Sequence, residues 1–240
     1  MVAKSELKLI RSLKQKKFRS NHALFVVEGR KTLEILLNAN FEARIIIATK
    51  EIVIEAAATE VQIISTKDFE SISSLKNPNG VLGVFYIKNP KQIAYEDWIV
   101  VLDDIQDPGN LGTIIRLCDW FGIKELVCSV NTVDCYNPKV IQATMGSIAN
   151  LNITYTELAV FLQEAKLPIY GSFMNGRSVY KNELPAKGVL IMGNEGRGIS
   201  TEIESLCTNR ISIPQYGATS AESLNVATAA AVLFNELRRG

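Results

Sequence analysis

The strongest constraint on the fold is the alternation of short apolar runs with helix-length segments along the whole chain. Runs such as "ALFVVEG" (23–29), "ARIIIAT" (43–49), "GVLGVFYI" (80–87), "WIVVLDDI" (98–105), "ELVCSV" (125–130) and "GVLIM" (188–192) have the length and β-branched content of buried strands. Helical patterns lie between them: "RKTLEILLNAN" (30–40), "TIIRLCDWFG" (113–122), "ELAVFLQEAKL" (157–167) and a long Ala-rich segment from about Glu222 to Arg239. Further expectations are a basic helix over 4–15, a helix in "KEIVIEAAA" and short strands at "VQIIS" (61–65), "PIYGSFM" and "RISIP" (210–214). "TKDFESIS" reads as a short helix, and Pro138 starts another at its first position. Thr201 and Glu204 fit a capping box. This order predicts α/β layers. The polar stretch "KNPKQIAYED" (88–97), with Pro90, is the best linker, dividing a domain at 1–90 from one at 98–240.

Composition excludes several classes. At 240 residues, 47% hydrophobic and 21% charged, the chain has enough apolar content for a sizeable core. No apolar run reaches the roughly 18–20 residues of a membrane span. The start, "MVAKSELKLIRSLKQKKFR", lacks the apolar stretch of a signal peptide, so the expected compartment is the cytoplasm. Cys118, Cys128, Cys135 and Cys207 show no C-x-x-C spacing, and His22 is the only histidine, so no metal site is expected. With one histidine, far from any nucleophile-like motif, no histidine-based triad is expected either.

Charge is uneven. Residues 1–31 carry nine Lys/Arg against Glu6 and Glu28, about +7 in a chain whose net charge is +1. A basic arm on a near-neutral body suits nucleic-acid phosphates, although a solvated helix face would look the same.

Three loops hold the residues with chemical potential, and each follows an apolar run. "GNEGRG" (193–198) is neither a Walker loop nor a G-x-G-x-x-G fingerprint, and Glu195 would repel a phosphate. It suits a neutral or cationic guest, or a plain strand–helix turn. "DPGNLGTIIR" (107–116) places Asn110 as a candidate helix cap and Arg116 deeper in the helix, paired or held for an anion. In "SIPQYGATSAESLNV", Ser223, Leu224 and Asn225 open the last helix. Ligands of α/β sheets gather beyond the carboxyl ends of strands, so the three loops together predict one site.

Taken jointly, N-x-G-T-I-x-R (110–116), G-N-E-G-x-G (193–198) and I-P…S-L-N-V (213–226) resemble the three motifs of the SpoU (TrmH-like) RNA 2′-O-ribose methyltransferases of the SPOUT superfamily. None of the three is broken. The resemblance spans about 98–239, and "FVVEGRKTLEILL" and "NPNGVLGVF" are more loosely similar to that family's L30e-like substrate-binding domain. It implies a C-terminal α/β trefoil-knot domain, S-adenosylmethionine as cofactor and a homodimer. The implied activity is methylation of a ribose 2′-OH in RNA, in ribosomal RNA ahead of tRNA. A binding-only assembly or protection factor of the same fold is the alternative. Carried over by motif, Asn110, Arg116, Glu195, Ser223 and Asn225 form the catalytic set, and Met192, Gly193, Gly198, Ile213 and Leu224 line the cofactor. Lys14, Lys16, Lys17, Arg19 and Arg30 are the expected RNA contacts.

Overall fold

A computed structural model describes residues 2–51, 54, 60–181, 183–217 and 223–239. Two compact units emerge. One comprises Met1–Asn89 together with Asp134–Ala149, the other Pro90–Val133 with Asn150–Gly240.

In the first unit, helices α1 (Lys4–Ser12) and α2 (Lys16–His22) precede strand β1 (Leu24–Glu28) and helix α3 (Arg30–Asn38). Strands β2 (Ala43–Ala48) and β3 (Val61–Ile63), helix α4 (Thr66–Ile72) and strand β4 (Val81–Tyr86) follow. The sheet order is β1-β4-β2-β3, with β4 antiparallel to both neighbours and β2 parallel to β3. Its core gathers Leu7, Ile10 and Leu13 with Leu24, Val26, Ile47, Phe69, Leu82 and Val84. Every residue of β1 is buried although the strand lies at a sheet edge, because helix α6 (Pro138–Thr144), from the middle of the chain, packs against it.

The second unit holds strands β5 (Ile99–Asp103), β6 (Glu125–Ser129), β7 (Asn152–Thr156), β8 (Ile169–Ser178), β9 (Val189–Gly193) and β10 (Asn209–Ser212). Helices α5 (Pro108–Trp120), α7 (Leu158–Glu164), α8 (Thr201–Glu204) and α9 (Val226–Arg238) connect or close them. All five pairings in the order β10-β8-β9-β5-β6-β7 are parallel. Strands β5 and β6 are buried throughout and β9 nearly so, as expected of parallel strands covered on both faces.

Four expectations need correction. The basic segment 4–15 is not one helix: α1 stops at Ser12, and α2 restarts at Lys16 behind Gln15. Asn110 does not cap α5. Asp107 does, accepting the Asn110 N–H at 2.8 Å, with Pro108 in the first turn. The Thr201/Glu204 capping box is absent, since Ser200 is the N-cap without a side-chain bond and Glu204 pairs with Arg210. Strand β7, "NITYT", carries no apolar run and was not expected; it is half-buried at the sheet edge. The helix expected in "KEIVIEAAA", and the start of the last helix at Glu222, lie outside the described residues.

Candidate active site

Parallel pairing places the carboxyl ends of β5 and β9 side by side, with Asp103 opposite Gly193. The chain turns sharply after each. At the end of β5, Asp104 takes a positive φ of 59° and its N–H donates to Ser129 Oγ at 2.9 Å. Asp103 accepts the Ser200 N–H at 2.8 Å, tying the far side of the glycine loop to the sheet.

The glycine loop closes on itself. Asn194 and Gly198 exchange backbone hydrogen bonds of 3.0 and 2.8 Å. The Asn194 side chain fills the turn: Oδ1 accepts the N–H groups of Gly196 (2.9 Å) and Arg197 (3.1 Å), and Nδ2 donates to the Asp104 carbonyl at 2.8 Å. Arg197 pairs with the Asp104 carboxylate. The N–H groups of residues 196, 197 and 198 are therefore engaged within the loop, and no cradle of free N–H groups is left for a phosphate. Gly193 has a separate reason to be glycine. A Cβ there would lie 2.2 Å from the Gly198 carbonyl carbon and the Ile199 nitrogen.

All three motifs meet through side chains. Asn110 Nδ2 donates to Glu195 Oε1 at 2.7 Å, and Asn225 Nδ2 donates to Asn110 Oδ1 at 2.9 Å. Asn225 is also the N-cap of α9, its Oδ1 accepting the N–H groups of Ala227 (3.0 Å) and Thr228 (3.2 Å).

The remaining candidates are placed but not bonded into this chain. Arg116 is exposed on α5 and makes no hydrogen bond or ion pair among the described residues. Ser223 is exposed beside Leu224, an apolar side chain 50% exposed, and Ile213 is half-buried. The Met192 side chain is fully buried in β9, so only its backbone can face a ligand, while Gly198 is exposed at φ 70°. Burial pushes the Cys118 and Cys128 thiols well up, and that of Cys207 to about 11, so none of the three is a thiolate at neutral pH.

In the first unit one expected RNA contact is overturned. Arg19 is 2% exposed, and its guanidinium bonds Asp134 Oδ2 (2.5 and 2.8 Å) and the carbonyls of Leu13 (2.8 Å) and Lys14 (3.0 Å). It is a structural arginine, with no face for a phosphate. Lys16 and Lys17 are exposed, Lys14 is exposed with Nζ on the Ser73 carbonyl at 2.7 Å, and Arg30 bonds Glu34 at 2.7 Å.

Asp104, Asp107, Asn194 and Arg197 build the site without any of them standing out in the sequence. Asp-Pro at a helix start is a usable signal for the Asp107 cap. Nothing in the sequence marks the Asp104–Arg197 pair, because its partners are brought together by the sheet.

Comparison with known proteins matches residues 97–235 to the SpoU rRNA Methylase family and residues 4–83 to an MRM3-like substrate binding domain. The chain is 29% identical over 236 residues to the 23S rRNA (guanosine(2553)-2′-O)-methyltransferase RlmP of Bacillus subtilis, covering 95% of this chain and 94% of that protein. It superposes on a TrmH-family chain from Porphyromonas gingivalis with a TM-score of 0.91 at 35% identity, over 100% of this chain and 99% of the other. It superposes on the AdoMet-bound rRNA methyltransferase of Sinorhizobium meliloti with a TM-score of 0.87 at 27% identity, over 100% and 97%. The family match spans more than half of the sequence and contains all three loops of the site, so the chain belongs to the SpoU rRNA methylase family.

Proposed function

We propose that this chain is an S-adenosylmethionine-dependent RNA methyltransferase acting on a ribose 2′-OH of ribosomal RNA. The observation that carries the reading is the Asn225–Asn110–Glu195 chain, which joins the three family loops at the carboxyl edge of the parallel sheet. The relatives' names add the substrate class: RlmP, and the RlmB of Neisseria meningitidis at 30% identity, are 23S rRNA 2′-O-methyltransferases.

The residues present fit the cofactor. S-adenosylmethionine is cationic at its reactive sulfur and presents the flat apolar faces of an adenine ring whose edge and ribose are polar. The three loops together offer it the Glu195 carboxylate, side-chain amides, the apolar Ile213 and the exposed Leu224, and the one arginine of the glycine loop, Arg197, is paired with Asp104. Bound there, S-adenosylmethionine would supply an electrophilic methyl group. The protein's share is to hold a hydroxyl in line with it and stabilise charge on that oxygen. Arg116, always protonated, suits an alkoxide or the neighbouring phosphate better than it suits a general base. Glu195 Oε1 is taken by Asn110, and Oε2 is the oxygen we assign to receive the hydroxyl proton.

The same reading gives the first unit the task of holding RNA through Lys14, Lys16, Lys17 and Arg30, positioning it without reading sequence. It includes the threaded C-terminal crossover and action in the cytoplasm. It also includes a homodimer, with Trp120, 84% exposed on α5 one turn beyond Arg116, as the residue we assign to its interface. Trp120→Glu should then give a monomer in sedimentation, whereas an unchanged mass would remove α5 from the interface.

Incubation of the protein with radiolabelled S-adenosylmethionine and rRNA or tRNA tests the activity. After digestion to nucleosides, the label should appear in a 2′-O-methylnucleoside from rRNA. Label in tRNA alone, on a base, or nowhere would overturn the assignment.

A further inference from the structure

The hydrogen-bond chain at the site can run in only one direction, and helix α9 sets it. A side-chain amide has one accepting and one donating end, and its neighbours decide which faces which. Asn225 Oδ1 is fixed by the cap, where it accepts two backbone N–H groups of α9. Its Nδ2 must then point away from the helix, and it donates to Asn110 Oδ1. Asn110 is left no choice either: with Oδ1 accepting, only Nδ2 can face Glu195, and it donates to Oε1. The backbone N–H of Asn110 is held by Asp107, which pins the position of the residue as well as the sense of its amide.

Resting on the methyltransferase reading above, we propose that Asn225 is a positioning residue that acts on Glu195 through Asn110. The cap of α9 orients both amides so that Glu195 is held as an acceptor on Oε1 with Oε2 left open toward the substrate. The Asn194 side chain braces the same loop from inside, so Glu195 is held from two directions. Serine, threonine or aspartate would cap α9 about as well, but aspartate has no hydrogen to give to Asn110.

The test uses that distinction. Asn225→Asp keeps the cap and removes the donor. Asn110 must then turn its Nδ2 toward position 225 and set Oδ1 against the Glu195 carboxylate, acceptor against acceptor. The denaturation midpoint should fall by about 2–4 °C, the effect of roughly one hydrogen bond in a chain of this length. In the double variant Asn225→Asp/Glu195→Gln, the glutamine amide can donate to Asn110 Oδ1, completing the chain in the reverse sense, and the midpoint should recover. Residues 225 and 195 make no hydrogen bond with each other, so the proposal routes this rescue through Asn110, whereas relief of direct charge repulsion would not need Asn110. Repeated in an Asn110→Ala background, the rescue should vanish.

Methyl transfer adds a second readout. Asn225→Asp should lose about tenfold to a hundredfold in kcat, as for a charge-assisted hydrogen bond misplaced, with little change in cofactor affinity. Rescue that persists without Asn110 would mean direct repulsion between 225 and 195 and would overturn the proposal. So would a single Asn225→Asp variant with wild-type kcat. A wild-type protein inactive on every RNA would instead sink the methyltransferase reading and leave the stability cycle standing.

Discussion

Arg19 and Arg116 belong to different units and have opposite fates. Arg19 sits in the most basic stretch of the sequence and looks like a phosphate ligand, yet it is buried with Asp134 and two carbonyls. Arg116 follows "TII" in an apolar helix, where the sequence leaves it either paired or held for an anion, and it is exposed with no partner among the described residues. Charge density along the chain therefore does not reveal the role of either residue. Position does: Arg116 is on the helix that leaves the end of β5, where a parallel sheet gathers its loops, whereas Arg19 lies on α2, before its sheet begins.

Removing each arginine should separate the two roles most visibly. Arg19→Ala strands the Asp134 carboxylate, 15% exposed, and should cost about 3–5 kcal/mol in denaturant unfolding. A loss below about 1 kcal/mol would mean that water satisfies Asp134 and that the pair is not structural. Arg116→Ala should leave the unfolding midpoint unchanged while lowering kcat by about a hundredfold to a thousandfold, the range for removal of an electrostatic stabiliser. Arg116→Lys sharpens this: near-full activity would show that charge alone suffices and that the planar guanidinium is not needed.

Glycines allow the next comparison within the second unit. Gly193→Ala drives a methyl into the Gly198–Ile199 backbone, where nothing flexible can give way, and should cost about 1–3 kcal/mol together with loss of cofactor binding. Gly217→Ala meets nothing within 4 Å and needs no positive φ, so it should be silent in stability. Equal effects at the two positions would contradict the close crossing of strand end and loop.

Smaller effects belong to the surface. Replacing Lys16 and Lys17 with alanine should weaken RNA binding and reduce the slope of log affinity against log salt by about one for each phosphate no longer neutralised. The rate at saturating RNA should not change. The Arg238–Asp97 pair gives the smallest signal. The Arg238 hydrogen bonds hold the Asp97 carboxyl below the usual aspartate range, against the opposing effect of partial burial. A lowered pKa contributes stability above the ordinary value and loses it as pH falls through the lowered one. Wild type and Asp97→Asn should thus differ at neutral pH, begin to approach each other below about pH 4, and converge only once the pH has fallen through the lowered Asp97 value.

Much of the fold is legible in the sequence because its strands are apolar runs bounded by turn residues, as in "WIVVLDD" and "GVLIMG". Strand β7 is not, since an edge strand half in solvent has no need of such a run. The break in the basic segment at 13–15 is hidden because the helical pattern of charges runs across it. At the site, the three loops can be read from their glycines and asparagines. Their wiring cannot, since Asn110 meets Glu195 and Asn225 across sequence separations of 85 and 115 residues. The cap at Asp107 instead of Asn110 shows the limit of local rules where two capping residues lie three apart.

The central claim is that the three joined loops methylate ribose in ribosomal RNA. Mapping 2′-O-methyl groups across the rRNA of cells with and without the gene tests it most directly. Purified wild-type protein and Arg116→Ala are then added to the unmodified RNA with S-adenosylmethionine. The account predicts one ribose methyl lost on deletion, restored by wild type and not restored by Arg116→Ala. An unchanged methylation map, or restoration by both proteins alike, would contradict it.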